Sequence, residues 1–487
     1  MDATKPRGER PTGEKQPRVT RGVSRRDFFR LTGATAGVMA STAAITKGSG
    51  SKAFAQGVDQ ASGSPNGGTS IHKRPWWVKE VDEPTTEIRW GDIERISERD
   101  RTVRGPGLSG YLGETRVEAI GEIAAEKKKE RILSNEAGYQ LRDWALNSAN
   151  GGARVPMSFL GPQTADTPED LGVPRWEGTP TENANMIRAA LRHMGAATVG
   201  FVELDENTER LLYSQDPDGK MIEFEDVEEA YEDDDKRVIP STARWVIVYT
   251  VQMSEETMRL APAPIGGQTT GLAYSRFTQI QAMLQEFLRG IGYQGLGESS
   301  INALGIAPAF GVMAGLGELG RINRLLTPEF GPMVRVFKMV TDLPLEPTKP
   351  IDAGILEFCK SCKVCAEECP SDSLSYEDEP FWETRGDWNN PGHKAWFENS
   401  PSCMEYWRTG PGTNCGICFA VCPYAKKDET LVHTLVKATS STTSLFNGFF
   451  TSMDQTFGYG ERDPEAWWEL DLPEYGIDTT KAARLKA

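Results

Sequence analysis

The sequence predicts an α+β protein in which an α/β core is followed by a separate cysteine-rich module on its C-terminal side. Residues 244–251 are mostly β-branched and aromatic, which is typical of a buried strand. From Phe277 to Ile291 the apolar residues recur at helical spacing, which predicts an amphipathic helix. All eight cysteines lie between Cys359 and Cys422. A disulfide framework would rarely leave the long preceding region without a cysteine, so this grouping predicts a metal module.

The composition excludes several classes of function. The 487-residue chain carries a formal net charge of −16, so it is a poor candidate for binding nucleic acid, which requires Lys and Arg against the phosphates. It has only four histidines and no HExxH motif, which argues against a His-rich metal hydrolase. Residues 315–320 match G-x-G-x-x-G, but they follow no strand-like run, so we interpret the match as chance. The sequence also contains no G-x-S-x-G nucleophile elbow and no P-loop.

Residues 1–55 are predicted to be a twin-arginine export signal. The first 30 residues are basic and contain the paired Arg25 and Arg26, a weakly apolar run of small residues follows at 31–45, and residues 53–55 form a small-x-small cleavage site. The run is too short and too rich in Gly, Ala and Thr for a membrane span. The alternative is a disordered basic tail followed by a short helix. Twin-arginine export moves folded proteins, often because a cofactor must be inserted first, so this signal favours a cofactor protein.

The region ahead of the cysteines is predicted to mix helices and strands. Residues 186–194 indicate a helix, and residues 198–204 indicate a strand that follows Gly195. Residues 205–237 are very acidic. A solvated loop or insertion is predicted there rather than a cation site, because the run lacks the ligand periodicity of a calcium loop.

The spacing of the cysteines is the strongest signal in the sequence. The first set has the spacing C-x2-C-x2-C-x3-C-P, which is the full bacterial run for a [4Fe-4S] cluster. The second set, C-x2-C-x3-C-P, is one cysteine short of that run, and Cys403 lies upstream of it. The rival interpretations are two zinc sites or four disulfides. Eight thiolates are what two [4Fe-4S] clusters require, and the chain has eight cysteines.

The ligands of the two clusters are predicted to be crossed between the runs. In two-cluster proteins with this spacing, the fourth cysteine of each run ligates the other cluster. One cluster is therefore predicted to be held by Cys359, Cys362, Cys365 and Cys422. The second is predicted to be held by Cys369, Cys415, Cys418 and Cys403. This arrangement ties both runs into one unit and brings the clusters close enough for electron transfer between them.

Two uncharged stretches are candidates for the wall of a cofactor site. Residues Ala261–Ser275 and Ser299–Gly317 are rich in Gly, Ala and Pro. Because glycine lets the backbone approach a ligand closely, such stretches can wall a large, flat, apolar cofactor. The alternative is that both are tightly packed core helices and turns.

The chain resembles the respiratory reductive dehalogenases. The resemblance covers essentially the whole chain and is carried by the twin-arginine start, by the two cluster runs in this order, and by several further motifs. These motifs are residues 271–276 (GLAYSR), 314–318 (AGLGE), 331–335 (GPMVR), 341–345 (TDLPL), 388–392 (WNNPG) and 467–471 (WWELD).

The resemblance implies a nitroreductase-like, corrinoid-binding α/β core beside a C-terminal ferredoxin-like module with two [4Fe-4S] clusters. The implied corrinoid is of the cobalamin type and is bound without a protein histidine beneath the cobalt, which agrees with the scarcity of histidine. The implied organisation is a signal peptide at 1–55, an N-terminal region packing on the core at 56–170, the catalytic core at 171–350, the two-cluster domain at 351–430 and a C-terminal segment returning to the core at 431–487.

The resemblance also implies a reaction and three catalytic residues. Two electrons pass through the clusters to give Co(I), a halogen on an organohalide is replaced by hydrogen, and one proton is supplied to the carbon. Tyr274 resembles the family's proton donor, a role that suits a phenol because its ordinary pKa of ~10 keeps it protonated. Arg335 resembles the cation that stabilises the phenolate, and Asn302 resembles an amide that positions the substrate or the halide. Considered by spacing alone, Tyr274 would be a helix-start aromatic and Arg335 a surface cation.

The resemblance further implies anaerobic respiration, with the protein on the outer face of the cytoplasmic membrane. The implied partners are the twin-arginine translocase, a small integral membrane anchor protein, an electron donor of the respiratory chain and a halogenated substrate, and a homodimer is plausible by base rate. Two rival functions remain open from the sequence, namely a relative of epoxyqueuosine reductase and a non-catalytic electron-transfer subunit. The sequence leaves chloroethenes, chloroalkanes and chloroaromatics all open as substrates.

Overall fold

The structure is a computed structural model that describes residues 74–75, 77–425 and 464–468. The predicted export signal at 1–55 lies outside the described residues. Within them, no helix is both long enough and apolar enough to cross a membrane.

Along the chain, the described helices come before the central strands, between them and in the cysteine-rich module. In chain order they are α1 Glu98–Arg101, α2 Gly105–Leu112, α3 Glu114–Ser134, α4 Leu141–Ser148, α5 Pro180–Met194, α6 Glu255–Met258, α7 Pro264–Gly290, α8 Ala307–Met313, α9 Ile355–Ser361, α10 Val364–Glu367, α11 Ser400–Thr409, α12 Ile417–Ala420 and α13 Pro464–Trp467.

The described strands form one four-stranded sheet and three smaller ones. They are β1 Lys79–Glu80, β2 Val199–Glu203, β3 Met221–Glu225, β4 Tyr231–Glu232, β5 Lys236–Pro240, β6 Trp245–Gln252, β7 Gly295–Leu296, β8 Glu318–Leu319, β9 Leu325–Leu326, β10 Val334–Thr341 and β11 Ile351–Asp352.

The central sheet has the order β2-β6-β10-β7, and its neighbouring strands are antiparallel. The predicted strands at 198–204 and 244–251 are confirmed as β2 and β6, and the predicted helix at 186–194 is confirmed as the end of α5. The interior residues of β6 are buried, because α5 and α7 cover one face of the sheet, and α8 covers the other together with the small sheet at 221–240 and several loops. The longest helix on this sheet, α7, stacks the ring of Phe277 on Phe337 of β10 with the ring centroids 3.8 Å apart.

Helix α7 is longer than the helix predicted from the apolar stripe. It begins at Pro264, so it contains most of the uncharged stretch Ala261–Ser275. Proline at the first helical turn has no N–H to lose and its fixed φ suits the helix. The stripe at Phe277–Ile291 marked the C-terminal part alone, because the N-terminal part is buried on several sides and shows no polar face.

The prediction of a solvated loop or insertion at 205–237 is wrong about the loop, because part of this run forms strands. Strand β3 pairs in parallel with β5, and β4 pairs with β5 in the antiparallel sense, so the acidic run folds into a small sheet. Its carboxylates alternate with apolar residues, and Ile222, Val238 and Ile239 are buried against the core. The high charge density hid this alternation, which is the pattern of a half-buried strand.

The cysteine-rich module packs directly on the core. Its own apolar centre includes Phe358 and Tyr424, whose rings lie edge to face at 5.2 Å. Ala420 of α12 belongs to the same hydrophobic cluster as the central sheet. The hairpin β8–β9 leads from the core into the module, and β1 pairs with β11 just before α9.

The described C-terminal residues contact the N-terminal region. The Glu465 carboxylate accepts a hydrogen bond from the backbone N–H of Gly138 at 3.0 Å, and the Trp468 indole donates to Asp143 at 2.7 Å. These contacts bring 464–468 onto α4 and the loop before it. The predicted domain boundaries stay predictions.

Candidate functional site

A cavity of about 640 Å³ lies between the central sheet and the cysteine-rich module. Helices α7 and α8 and strand β10 supply one side of its wall, and α11 and α12 supply the other. Both uncharged stretches contribute: Thr270 and Gly271 come from the first, and Ile306 and Ala309 come from the second. Much of each stretch is also helical, as α7 and α8. These two stretches therefore contribute small and apolar groups to a wall that also carries charged side chains such as Arg104 and Glu398.

Tyr274, Arg335 and Asn302 all line this cavity. Tyr274 projects from α7, and its ring lies edge to face against Phe337 with the centroids 6.0 Å apart. Its hydroxyl lies 3.5 Å from the Asn302 Oδ1 atom, which is at the limit of a hydrogen bond. The structure thus brings together three side chains that are 28 or more residues apart in the chain.

The Arg335 guanidinium lies beside the Tyr274 ring, with its central carbon 5.4 Å from the ring centroid. Arg335 Nη2 donates a hydrogen bond to Thr270 Oγ1 at 3.2 Å, and the group also faces the Phe419 ring of α12 at 5.4 Å. Its Nε atom is buried without a hydrogen-bond partner in the described part of the chain. The structure therefore holds a cation beside the Tyr274 ring, at the wall of the cavity.

Glu98 is a cavity residue that sequence reasoning missed. It begins α1, it is 2% exposed, and its Oε2 atom has no hydrogen-bond partner among the described residues. Burial raises the pKa of Glu98 to about 8, and the nearby Lys338 and Arg104 oppose this rise. Glu98 begins a helix whose residues are all charged, and no local motif distinguishes it from the others. The sequence therefore gives no indication that it is buried beside the cavity.

Beneath the cavity wall lies a fully buried ion pair. Lys338 of β10 donates to Glu298 at 3.0 Å, and both side chains are 0% exposed. Burial raises the pKa of Glu298 to about 6 despite the lysine. Removing one partner would leave an uncompensated buried charge, which is strongly destabilising, so this pair fixes β10 and with it Arg335.

Replacing Glu98 by glutamine is expected to flatten the pH dependence of stability between pH 4.5 and 8. A carboxyl whose pKa is raised by folding binds more protons in the folded state across this range, so the free energy of unfolding falls as the pH rises. The amide cannot ionise and escapes this loss. One pKa unit corresponds to ~1.4 kcal/mol. Between pH 5 and pH 8 we therefore expect the parent to lose a few kcal/mol more of its free energy of unfolding than E98Q loses.

Urea unfolding of the parent and of E98Q at pH 5 and pH 8 measures this difference. The exposed Glu118 provides the control variant E118Q, which should keep the slope of the parent. Equal slopes for the parent and E98Q would contradict the assignment of a buried, protonated carboxyl to Glu98.

The first group of thiols lies at the start of the module and near α12. The Cys359 thiol interacts electrostatically with Cys362, and the Cys365 and Cys422 thiols each interact with both of these. Burial raises the pKa of Cys359 to about 12 and raises the pKa values of Cys365 and Cys422 as well. Thiols buried in this way are poor thiolates until a metal replaces the proton.

The second group of thiols consists of Cys369, Cys403, Cys415 and Cys418. Cys418 interacts most strongly with Cys415 and Cys369, and Cys403 interacts with Cys418 and Cys369. Burial raises the pKa of both Cys403 and Cys418. Cys418 also interacts, more weakly, with two thiols of the first group, so the two groups are neighbours.

None of the eight cysteines, all of which lie in the described residues, forms a disulfide, which disagrees with the alternative of four disulfides. Within the described residues, no three Cys, His, Asp or Glu side chains converge on a point that a single metal ion could occupy. An iron–sulfur cube differs from a single ion, because each of its four thiolates ligates a different iron. The thiol groups therefore match the donor set of two [4Fe-4S] clusters in identity and number.

Two family models match the chain, and together they cover the core and the module. A model described as a reductive dehalogenase subunit matches residues 73–345, and one described as a 4Fe-4S double cluster binding domain matches residues 358–425.

Curated relatives match over most of the chain. Trichloroethene reductive dehalogenase of Dehalococcoides mccartyi is 30% identical over 93% of this chain and 98% of that protein. Tetrachloroethene reductive dehalogenase of Sulfurospirillum multivorans is 33% identical over 76% of this chain and 78% of that protein. An epoxyqueuosine reductase of Listeria monocytogenes matches over only 12% of this chain, with 39% identity.

Solved structures share the fold. The catabolic reductive dehalogenase NpRdhA, in complex with 3-bromo-4-hydroxybenzoic acid, matches with a TM-score of 0.58 and 24% identity over 80% of this chain. A further solved reductive dehalogenase structure, described in connection with B12-dependent dehalogenation, matches with a TM-score of 0.56. This chain spans 50% of the length of each of those chains. The predicted α+β class, with a two-cluster module at its C-terminal side, is confirmed.

Proposed function

This chain belongs to the reductive dehalogenase family, and we propose that the cavity beside Tyr274 is where it replaces a halogen by hydrogen on a small organohalide. The enzyme is an oxidoreductase that acts on carbon–halogen bonds with a corrinoid and two [4Fe-4S] clusters. The balanced reaction consumes two electrons and one proton, and it releases the reduced organic product and one halide ion. The observation that carries the proposal is the convergence of Tyr274, Arg335 and Asn302 on one cavity next to the cysteine-rich module.

The residues around the cavity fit a corrinoid. A corrinoid is a large, mostly apolar macrocycle that carries polar amide arms. The cavity offers about 640 Å³ and apolar wall residues such as Ala309 and Val312. Glu98 lines the cavity, and its Oε2 atom is buried without a hydrogen-bond partner in the described residues, so it offers a polar group for the amides. When bound, a corrinoid supplies a strongly reducing cobalt centre that delivers electrons to the carbon–halogen bond.

The three catalytic residues have separate roles, in proton transfer and in positioning the phenol and the substrate. Tyr274 holds the proton on its phenol oxygen and gives it to the carbon from which the halide departs. Arg335, held against the Tyr274 ring and bonded to Thr270, stabilises the phenolate that remains. Asn302 lies within reach of the Tyr274 hydroxyl, so its amide orients the phenol and contacts the substrate or the halide. Apolar wall residues such as Val312 and Phe419 lie in the same cavity, and apolar surroundings strengthen electrostatic interactions.

The two thiol groups would hold the clusters that supply electrons from the module side of the cavity. Cys359, Cys362, Cys365 and Cys422 hold one cluster, and Cys369, Cys403, Cys415 and Cys418 hold the other. The contacts within each thiol group support this division. Because the two thiol groups are neighbours, clusters held by them would be close enough to exchange electrons without a further carrier.

The location and partners of the protein are part of the same proposal. The paired Arg25 and Arg26 support export by the twin-arginine translocase. The protein then works in anaerobic respiration at the outer face of the cytoplasmic membrane, held by a small integral membrane protein and supplied by a respiratory electron donor. A homodimer is the proposed assembly by base rate. Cell fractionation tests this location, and retention of the protein in the cytoplasm would contradict it.

Neither rival function is favoured by the comparisons. The match to epoxyqueuosine reductase covers 12% of this chain, whereas the dehalogenase model covers the core at 73–345. A plain electron-transfer subunit would have no use for a large cavity with a phenol, a guanidinium and an amide in its wall.

Metal analysis of anaerobically purified protein tests the proposed function. We expect about one cobalt and eight iron atoms per chain, since two [4Fe-4S] clusters contain eight irons. A screen of chloroethenes, chloroalkanes and chloroaromatics with a chemical reductant should then show halide release, with two electrons consumed per halide. Eight irons without cobalt, even after corrinoid reconstitution, would leave only the electron-carrier function.

A further inference from the structure

One short turn carries an arginine to each of the two thiol groups. Strands β8 and β9 form a hairpin whose turn, residues 320–324, is closed by hydrogen bonds between Gly320 and Arg324 and between Asn323 and Gly320. Arg321 at one end of this turn lies near the thiols of Cys359, Cys362 and Cys365. Arg324 at the other end lies near those of Cys403 and Cys418.

Arg321 is buried, although it carries a charge. Its side chain is 1% exposed and donates six hydrogen bonds, all of them to backbone carbonyl oxygens. Two of these carbonyls belong to the first thiol group: Arg321 Nη2 lies 2.6 Å from the Cys359 oxygen, and Nε lies 3.1 Å from the Cys362 oxygen. The guanidinium also lies over the Trp396 ring at 4.6 Å. None of these contacts cancels its charge.

Arg324 differs because its charge is paired. Its Nη2 atom donates to the Glu398 carboxylate at 2.6 Å, so the second thiol group faces a neutral ion pair. Two carboxylates oppose Arg321 near the first group: Asp378, which is exposed and paired with Lys363 at 2.5 Å, and the buried Glu318. Glu318 accepts hydrogen bonds from the backbone N–H groups of Ala353 and Ile355 rather than contacting the cysteine backbone, and its effect on the Cys359 thiol is smaller than that of Arg321.

We infer that Arg321 raises the reduction potential of the cluster held by Cys359, Cys362, Cys365 and Cys422. Reduction adds one negative charge to the cluster, and net charge and hydrogen bonding are among the factors that set cluster potentials. A fixed cation in a low-dielectric site stabilises the reduced form more than the same cation would in water. Arg321 therefore adjusts the potential at which this cluster accepts an electron. It takes no part in breaking the carbon–halogen bond. The inference rests on the proposed grouping of the cysteines.

The test is an anaerobic redox titration of the holoenzyme, followed by EPR, for the parent and for R321M and R321K. In R321M, the reduced-to-oxidised ratio of the first cluster at the midpoint of the parent should fall at least tenfold, which is 59 mV for a one-electron couple. The second cluster should shift much less. R321K keeps the charge and should stay close to the parent.

The matched control is R385M, which removes one positive charge from an exposed arginine of the same module. Arg385 donates to the Ser373 carbonyl at 3.3 Å, and no contact with a cysteine is described for it. Its replacement should leave both potentials unchanged. The variants C422S and C418S, described in the Discussion, assign each EPR signal to its thiol group.

Each outcome decides the inference. A protein with eight irons, one cobalt and an unchanged first potential in R321M would overturn the inference while leaving the proposed function intact. Equal shifts of both clusters would also overturn it, because the effect would then be global. If R321M does not bind eight irons, R321Q is titrated in its place. If neither variant binds eight irons, Arg321 has a structural role and the inference fails.

Discussion

Replacing Tyr274 by phenylalanine is expected to lower turnover by ~10²- to 10⁴-fold, which is the usual contribution of a positioned general acid. The variant loses only the phenol oxygen, and the ring keeps its edge-to-face contact with Phe337. Cobalt and iron contents should therefore equal those of the parent. The measurement is the rate of halide release at saturating substrate, together with the metal content of the same sample.

The control for this variant is Y293F. Tyr293 lies in the core, where its hydroxyl donates to the Trp176 carbonyl at 2.9 Å, and it is not among the residues that line the cavity. Y293F should lose about 1 kcal/mol of stability with its one hydrogen bond and keep its turnover. Near-normal turnover of Y274F would rule out Tyr274 as the proton donor.

Serine substitutions at Cys422 and Cys418 are expected to remove different clusters, although the two residues are only one helical turn apart. Cys418 lies on α12, and Cys422 lies just beyond its end. Cys422 interacts with Cys359 and Cys362, whereas Cys418 interacts most strongly with Cys415 and Cys369. Each variant should lose up to four of the eight irons and one of the two EPR signals, and turnover should fall below detection because the electron path is cut.

The two cysteine variants serve as each other's control, since both make the same chemical change in the same segment. Iron analysis and EPR of the dithionite-reduced proteins measure the result. Loss of the same EPR signal from C422S and from C418S would contradict the crossed grouping.

The elements that could be predicted from the sequence are those with a strong local signal. Strand β6 is a run of β-branched and aromatic residues, and such a run needs no knowledge of its neighbours to be recognised. The cysteine spacing is equally local, because a cluster requires thiolates at short, fixed separations. Tyr274, Arg335 and Asn302 came from resemblance to a family, since their separations in the chain carry no spacing signal.

The features that were missed depend on contacts between distant segments. The sheet at 221–240 was hidden by its charges, and the start of α7 at Pro264 was hidden because its surroundings are buried on several sides. Glu98 and Arg321 belong to residue types that are usually exposed. Only the packing of α1 beside the cavity, and of the β8–β9 turn against the module, shows that both side chains are buried.

The sequence by itself determined the α+β class, the two cysteine runs and the family, because local composition and ligand spacing encode them. The tertiary structure decided which thiols lie together, which side chains share the cavity and which charges remain unpaired. Distances between residues far apart in the chain set these properties. Whether a guanidinium is neutralised, as Arg324 is by Glu398, or left unpaired, as Arg321 is, follows from the folded arrangement, because electrostatic energies depend on separation and burial.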